Sequence, residues 1–303
     1  MEKFNFATAL SETQSYIGEA ALPYVLGAFL KNKTADSGVK IVEDIIKFAY
    51  VAKLTGSNLV QVGTHCDFSP DGTITAGEAK LEPKEMFIDV ELCYNELESI
   101  WNGLTNGNLN SQELGADFNQ ALQQVLQDAM NQGFEDVLWN GVATTGTSVT
   151  DLFDGIDAQI TTNVATGTTL TKSNIVAAVD ALVGKLPSVV LEDVSNLKIY
   201  MNPKTLLFYK QALMALGINT PAEAQLSTYD GIPIYAVSKI ADNKMYAIQP
   251  ANIAIGVGAM DNFSQLTIKD MRESTLDNKV RMKLQGKADV KVIYEAEAAK
   301  FEV

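Results

Sequence analysis

The chain of 303 residues carries 37 acidic and 23 basic side chains, a formal charge of -14, and 47% of its residues are hydrophobic. This composition is typical of a folded soluble protein with one or two domains and excludes disordered and fibrous classes. The negative charge argues against a protein that grips nucleic acid. Two cysteines and one histidine leave little material for a metal cluster or a disulfide framework. Neither a membrane span nor a signal peptide is expected, and synthesis in a reducing cytoplasm follows.

The first 48 or so residues are predicted to form an arm. Two short amphipathic stretches, 16–30 and 39–50, are separated by the polar run 31–38, which interrupts the helical pattern. Neither stretch is long enough to be stable alone. We therefore expect both to lie on another surface, a neighbouring copy of the chain being one such surface.

The next segment is predicted to be a long β-hairpin. Residues 54–62 have a strand-like pattern, 69–72 (Ser-Pro-Asp-Gly) are a strong turn signal, and 73–75 begin a return strand. Few large apolar side chains lie in this segment, so it has little core of its own. A strand at 86–92 and a short helix at 94–101 are predicted to follow.

The segment from Asn110 to Gly141 is predicted to form the longest helix, which we call the spine helix. Asn110 with Glu113 is typical of an N-cap with its reciprocal partner, and Gly141 is predicted to adopt the left-handed conformation that ends many helices. At ~1.5 Å per residue this helix spans roughly 40 Å, so other elements must pack along it. Its apolar face, with spacings typical of an amphipathic helix, consists of Leu114, Phe118, Leu122, Val125, Leu126, Ala129, Met130, Phe134, Val137 and Leu138.

A second unit with helices and a mixed sheet is predicted after a Gly/Thr-rich turn at 142–149. Ser173 and Gly184 are expected to begin and end one helix, and Asn202-Pro203 to begin another that ends near Leu216. The predicted strands and turns are 197–201, a turn at 229–231, 232–237, a turn at 242–244, 245–248 and 253–257.

The clearest strand signal lies near the C-terminus. Apolar residues from Val280 to Val292 alternate with polar residues, which indicates a sheet with one solvated face. This strand is long enough that a bend at Gly286 is expected. Residues 263–271 and the spine helix are predicted to be its partners.

Candidates for chemistry are few. His65, Cys66 and Asp67 are consecutive, so they point to alternating sides of an extended chain and do not converge on one ion. Residues Asp67 to Glu78 match the spelling of an EF-hand calcium loop, but both flanks read as strands, which favours a hairpin tip. The sequence contains no nucleotide-binding glycine loop, no phosphate-binding loop and no nucleophile elbow, so no enzyme is predicted.

Several short motifs occur in a recognisable order along this sequence. They are Leu138-Trp139-Asn140-Gly141 at the end of the spine helix, Phe153-Asp154-Gly155-Ile156, Met201-Asn202-Pro203-Lys204-Thr205, Tyr229-Asp230-Gly231-Ile232-Pro233-Ile234 and the closing strand after Arg272. With the element order, they resemble the major capsid proteins of tailed bacteriophages, which have the Hong Kong 97-like fold. The resemblance implies an α+β fold with an N-terminal arm (1–48), an extended E-loop hairpin (49–84), a peripheral domain (85–156 and 263–303) and an axial α/β domain (157–262).

The same resemblance implies a structural function without catalytic residues, metal sites or cofactors. Copies of such a protein assemble as hexamers and pentamers into the icosahedral head of a virion, after synthesis in the host cytoplasm, and enclose DNA without reading its sequence. Only the arm precedes the hairpin, so a separate scaffolding protein and a portal are the expected partners. Some relatives join an E-loop lysine to an asparagine of a neighbour, for which Lys80 or Lys84 and Asn278 are conceivable here.

Two alternatives remain open at the level of sequence. The first is the shell protein of a cellular nanocompartment, similar to encapsulin, which shares the fold but encloses a cargo enzyme instead of DNA. The second is a calcium-binding surface or adhesion module that uses Asp67 to Glu78.

Overall fold

The computed structural model describes residues 14–17, 21–57, 72–93, 96, 113–146, 148–216, 227–258, 265–271 and 275–303. The helices in these ranges are α1 (Leu22–Leu30), α2 (Glu113–Asn140), α3 (Ile156–Gln159), α4 (Ile175–Val183), α5 (Ser188–Leu191) and α6 (Pro203–Ala215). The strands are β1 (Gln14–Ile17), β2 (Lys40–Val42), β3 (Ala49–Ser57), β4 (Thr73–Leu81), β5 (Lys84–Cys93), β6 (Val164–Thr166), β7 (Lys198–Met201), β8 (Thr228–Tyr229), β9 (Ile232–Ala236), β10 (Met245–Ile248), β11 (Ile253–Gly258), β12 (Gln265–Asp270), β13 (Lys279–Val292) and β14 (Ala299–Glu302).

The long strand β13 is the centre of the first sheet. Strand β5 is antiparallel to it along one edge, from Cys93 opposite Lys279 to Lys84 opposite Ala288. The other edge pairs first with β12 and then with β11. Strands β1 and β2 extend the sheet on β12 and β11. The predicted long strand and its partner in 263–271 are confirmed.

One face of β13 is covered by helices. Val280, Met282 and Leu284 are buried in the main apolar core, as their alternation predicted. The solvated face is confined to the first half of the strand, because Gln285 and Asp289 are also buried. Pairing with β5 runs without interruption through Gly286, and the expected bend at that residue stays a prediction. A Cβ atom at Gly286 would come within 2.7 Å of Phe29, so the glycine permits close packing of α1.

The spine helix α2 ends at Asn140, one residue before the predicted end. Along its described side chains the predicted apolar face is confirmed for Leu126, Met130, Phe134, Val137 and Leu138. The prediction is wrong for Val125, which is 64% exposed, and for Ala129, which is also exposed. Each lies about 100° around the helix from the buried residue that follows it, Leu126 or Met130.

The end of the spine helix also differs from the prediction in its geometry. Gly141 is not left-handed. Its amide donates to the carbonyl of Val137 at 2.8 Å, and an added Cβ would come within 2.4 Å of the carbonyl oxygen of Phe153. Close approach of the backbone is therefore what requires glycine there. The predicted N-cap Asn110 lies outside the described residues.

The described part of the predicted arm is packed within the chain. Helix α1 lies on the spine helix, and the rings of Phe29 and Phe134 meet edge to face at 5.1 Å. The polar run 31–38 buries Asn32, Thr34 and Ser37, which are at most 3% exposed, and leaves Lys31, Lys33, Asp36 and Gly38 exposed. Residues 21–30 therefore lie on another surface, as expected, and that surface belongs to the same chain, because their apolar side chains pack in its main core.

The second sheet has the order β6-β14-β10-β7-β9-β8. Tyr200 and Tyr246 face the spine helix from β7 and β10, whereas Ile199, Met201 and Met245 face the core of α4 and α6. Two layers therefore flank this sheet, and the predicted mixture of helix and strand is confirmed.

In the second unit, the helix ends and turns predicted from local sequence signals agree with the structure to within one residue. The side chain of Asn202 caps α6 by accepting the amide of Lys204 at 2.9 Å. Asp230 and Gly231 both have positive φ, as a tight hairpin turn requires. The predicted cap Ser173 is wrong by one position, since Asn174 precedes α4.

Two strands lie in a different sheet from the one that the four-part division predicted from sequence implies. Strand β11, placed with 157–262, pairs with β13 in the first sheet. Strand β14, placed with 263–303, lies between β6 and β10 in the second sheet. We keep the division into arm, hairpin, peripheral and axial units as a proposal with these two strands reassigned.

Candidate subunit-contact surfaces

Strands β3 and β4 form a two-stranded sheet of their own. Their antiparallel ladder runs from Ala49 opposite Leu81 to Ser57 opposite Thr73. The predicted hairpin is confirmed, and its tip at 58–71 lies outside the described residues. A lone two-stranded sheet is marginally stable in water, so its contacts with the rest of the chain determine where it lies.

A small apolar cluster holds the inner face of the hairpin. Val51 and Leu81 are buried against Ile45 and Ala254. Further along β4, the backbone of Gly77 lies against a tyrosine: an added Cβ would come within 2.8 Å of the hydroxyl of Tyr294. The base of the hairpin is therefore fixed by close packing on its inner side.

A buried carboxylate fixes the point where β4 leads into β5. The amide of Glu82 donates to Asp289 at 2.7 Å, and the amide of Val290 donates to the same carboxylate at 2.8 Å. Asp289 is only 2% exposed. Burial raises the pKa of its carboxyl, an effect that the Glu82 amide and the charge of Lys291 partly oppose.

Large apolar side chains are exposed along the outer side of the hairpin and on the connection that leads into it. Ile46 and Phe48 precede β3, Tyr50 lies near its start, and Ile74 lies near the far end of the described ladder. Ile46, Phe48, Tyr50 and Ile74 are each more than half exposed. The rings of Phe48 and Tyr50 meet edge to face at 5.5 Å, and the ammonium of Lys80 lies 5.0 Å from the centre of the Phe48 ring. An exposed patch rich in aromatic groups is typical of a protein interface. We call these residues the hairpin row.

A second candidate surface is a groove of about 530 Å³ between β5 and the loop that follows the spine helix. Met86, Phe87, Val149 and Leu152 supply its apolar lining. Phe87 is 64% exposed and Val149 is 50% exposed. The carboxylate of Asp151 orders the loop, accepting the Thr144 hydroxyl at 2.9 Å and the Ser148 amide at 2.8 Å. We call this the β5 groove.

Buried contacts attach the N-terminal turn to the end of the spine helix and to the second sheet. At the end of the spine helix, the indole of Trp139 donates to the hydroxyl of Thr34 at 3.0 Å. The hydroxyls of Ser37 and Tyr200 share a hydrogen bond of 2.6 Å. The Trp139 ring also packs 5.0 Å from the ring of Tyr246. These contacts join the N-terminal turn, the spine helix and the second sheet.

An ion cluster joins α3 to the second sheet. Asp157 pairs with the ammonium of Lys244, and Lys300 lies 3.4 Å from the same carboxylate. Burial alone would raise the pKa of Asp157, but the hydrogen bond and charge of Lys244 and the charge of Lys300 hold it below its usual value. Asp157 is therefore a carboxylate at neutral pH, and its ion pairs hold α3 to the second sheet.

The structure gives no support to the calcium interpretation in the part of 67–78 that it describes. Residues 73–78 belong to β4, and 79–81 continue that strand where an EF-hand requires a helix. His65, Cys66 and Asp67 lie outside the described residues. Elsewhere in the described ranges, no group of three or more His, Cys, Asp or Glu side chains could hold a metal ion.

The two lysines considered for a covalent link lie in β4 and in β5. Lys80 and Lys84 both lie near Glu82, at 3.3 and 3.7 Å, so each already has an ionic partner. A covalent link from either lysine to Asn278 of a neighbour stays a prediction.

Of the helices in the described parts of the chain, none combines the length and apolar character needed to cross a membrane.

Comparison with known proteins links this geometry to one fold. No family model and no curated protein matches the sequence. Among solved structures, the satellite phage P4 procapsid with its size determination protein matches with a TM-score of 0.64 and 13% identity, over 93% of this chain and 89% of that chain. The chain has the Hong Kong 97-like fold of tailed-phage major capsid proteins.

Two other solved structures with the capsid fold agree. The capsid of an empty GTA particle matches with a TM-score of 0.57 and 12% identity, over 87% of this chain and 93% of that chain. The cyanophage A-1(L) capsid matches with a TM-score of 0.56 and 14% identity, over 90% of this chain and 92% of that chain. Each comparison spans nearly the full length of both chains.

Sequence reasoning missed the hairpin row. The amphipathic pattern of residues 39–50 predicts a helix, whereas the structure has β2, an extended connection and the start of β3. The signal was present: Ile46, Phe48 and Tyr50 recur at two-residue spacing, which is the period of a strand. The β5 groove has no sequence signal, because its two walls are about sixty residues apart.

Proposed function

We propose that this chain is the major capsid protein of a tailed phage. Copies would assemble as hexamers and pentamers into an icosahedral head that encloses DNA, so the mature location is the virion. The observation that carries the proposal is the hairpin row: the capsid fold holds a hairpin whose outer apolar side chains are more than half exposed in the part of the chain that the structure describes. Neighbouring copies would supply that cover.

The role is structural. The charge of -14 suits a container that must not bind its DNA tightly. A separate scaffolding protein and a portal are part of the proposal as partners, and no cofactor is assigned. No observation favours an encapsulin-like shell or a calcium-binding module.

Electron microscopy of the expressed protein tests this proposal. We expect closed icosahedral particles, or rings of five and six subunits when no scaffolding protein is supplied. Particles that contain a folded cargo enzyme in place of DNA would instead identify a nanocompartment shell. A protein that remains monomeric with its scaffolding protein present would contradict the proposal.

A further inference from the structure

Three Asn-Gly or Asp-Gly dipeptides lie wholly within the described residues. They are Asn140-Gly141, Asp154-Gly155 and Asp230-Gly231. Such dipeptides can rearrange without an enzyme, because the glycine nitrogen is close to the side-chain carbonyl carbon before it and no glycine side chain obstructs the approach. The reaction requires a free glycine amide and a backbone that can rotate. The three dipeptides differ in both respects.

The amide of Gly141 is held at the end of the spine helix. It donates to the carbonyl of Val137 at 2.8 Å. The side chain of Asn140 is also fixed, since its Nδ2 donates to the Asp136 carboxylate at 2.8 Å and to the carbonyl of Lys239 at 2.6 Å. Rotation of this backbone would break these hydrogen bonds, so the fold protects Asn140.

Asp154-Gly155 is held in a similar way. The amide of Gly155 donates to the carbonyl of Gly141 at 2.8 Å. The carboxylate of Asp154 accepts the amide of Ala143 at 2.9 Å. A Cβ atom added at Gly155 would come within 2.5 Å of the carbonyl oxygen of Val137. This backbone has no room to rotate, so Asp154 is protected as well.

Asp230-Gly231 has neither form of protection. Both residues are exposed. Neither the Asp230 carboxylate nor the Gly231 amide forms a hydrogen bond with another described residue. The nearest atom to a Cβ built on Gly231 is a methyl carbon of Val194, at 3.8 Å. The turn follows β8, which is two residues long and lies at the edge of the second sheet, so opening it disturbs little of the fold.

We propose that Asp230 is a site of spontaneous isoaspartate formation. The nitrogen of Gly231 attacks Cγ of the Asp230 carboxyl group, a C–N bond forms, and the carboxyl hydroxyl leaves with the amide proton as water. Solvent water then opens the succinimide ring. Addition at the former main-chain carbonyl leaves the chain running through Cγ, with no net change in mass. This inference does not depend on the proposed shell function.

The rearrangement adds one carbon atom to the main chain of a two-residue turn. Tyr229 and Ile232 are paired across that turn, and a longer turn disfavours their register. Strand β8 also contacts two helices. The hydroxyl of Tyr229 donates to Asp180 at 3.0 Å. The hydroxyl of Tyr209 donates to the carbonyl of Thr228 at 3.0 Å. Isoaspartate at position 230 therefore loosens this edge of the second unit.

Peptide mapping of the full natural chain after prolonged incubation at neutral pH tests the site. Peptides with isoaspartate and aspartate have the same mass but separate by chromatography. We expect isoaspartate to accumulate at position 230 at least about tenfold faster than at Asp154, because the second site reacts only after local opening. In urea, where the fold protects neither dipeptide, the two rates should approach each other.

Asp230→Asn provides a matched comparison within one protein. Asparagine also tolerates the left-handed backbone of this turn, so the variant should fold normally. The variant contains two described Asn-Gly dipeptides. The asparagine at position 230 should lose ammonia at least about tenfold faster than Asn140, which mass spectrometry of the peptides measures directly.

Two results would overturn the inference. One is an equal rate of ammonia loss at Asn140 and at position 230 in the folded variant. The other is a natural chain that forms isoaspartate at position 230 in urea but not in the folded protein.

Discussion

The indole Nε1 of Trp139 donates a 3.0 Å hydrogen bond to the hydroxyl of Thr34, a residue 105 positions earlier in the chain. Both side chains are fully buried. This bond attaches the turn after α1 to the end of the spine helix, directly beside the second sheet. The N-terminal segment is thereby part of the body that holds the candidate contact surfaces.

Replacing Thr34 by Val should destabilise the subunit by roughly 1–3 kcal/mol, because the buried Trp139 N–H loses its acceptor. Urea unfolding followed by tryptophan fluorescence measures the loss. Thr166→Val, at an exposed strand position, is the matched control and should change the free energy of unfolding by less than about 0.5 kcal/mol. Equal effects of the two substitutions would show that the bond contributes nothing.

The two glycines of the spine region should respond to alanine in opposite ways. At Gly141 an added Cβ would lie 2.4 Å from the carbonyl of Phe153, so Gly141→Ala should cost at least about 2 kcal/mol or prevent folding. At Gly133 nothing lies within 4 Å, and Gly133→Ala should stabilise the helix by roughly 0.5–1 kcal/mol. Thermal melting of both variants checks this, and a stable Gly141→Ala protein would refute the packing at the helix end.

Adjacent residues of the spine helix provide a test of its buried face. Leu126→Asp should prevent folding, because it places an unpaired charge at a position that is 3% exposed. Val125→Asp should be tolerated in the monomer, since that side chain is 64% exposed. Circular dichroism and solubility distinguish the two. A cooperatively melting Leu126→Asp protein would mean that the face is assigned incorrectly.

Two aspartates, Asp157 partly buried and Asp289 buried, should give pH dependences of opposite sign. The pKa of Asp157 is lowered from 3.8, so its ionised form adds stability above that value, and this is lost as the pH falls through the lowered pKa. The pKa of Asp289 is raised from 3.8, so stability is lost as the pH rises through the raised pKa.

Urea titrations of each aspartate-to-asparagine variant against the natural sequence, from pH 3 to pH 7, measure these slopes. The advantage of the natural sequence over Asp157→Asn should shrink toward low pH. Its difference from Asp289→Asn should become less favourable toward neutral pH. Slopes of the same sign for both pairs would contradict the assigned environments.

Local signals explain how much of this fold could be read from the sequence. The long alternation in β13, the apolar face of α2 and the Asn202-Pro203 start of α6 each reflect contacts within a few residues. Such patterns predicted the element type and the order that identifies the capsid fold. They also predicted the β3–β4 hairpin from its turn signal.

Long-range packing explains what could not be read. The polar run 31–38 looks like a solvated linker, yet Thr34 and Ser37 are buried because Trp139 and Tyr200 offer them hydrogen-bond partners far away in sequence. The strands β11 and β14 join sheets other than those their sequence positions suggest.

Sedimentation velocity of the purified protein, with and without Ca²⁺, tests the central claim most directly. A shell subunit should sediment as rings of five and six copies or as closed particles, and Ca²⁺ should leave that distribution unchanged. A protein that remains monomeric in the presence of its scaffolding protein, and that Ca²⁺ stabilises against unfolding, would contradict the capsid function.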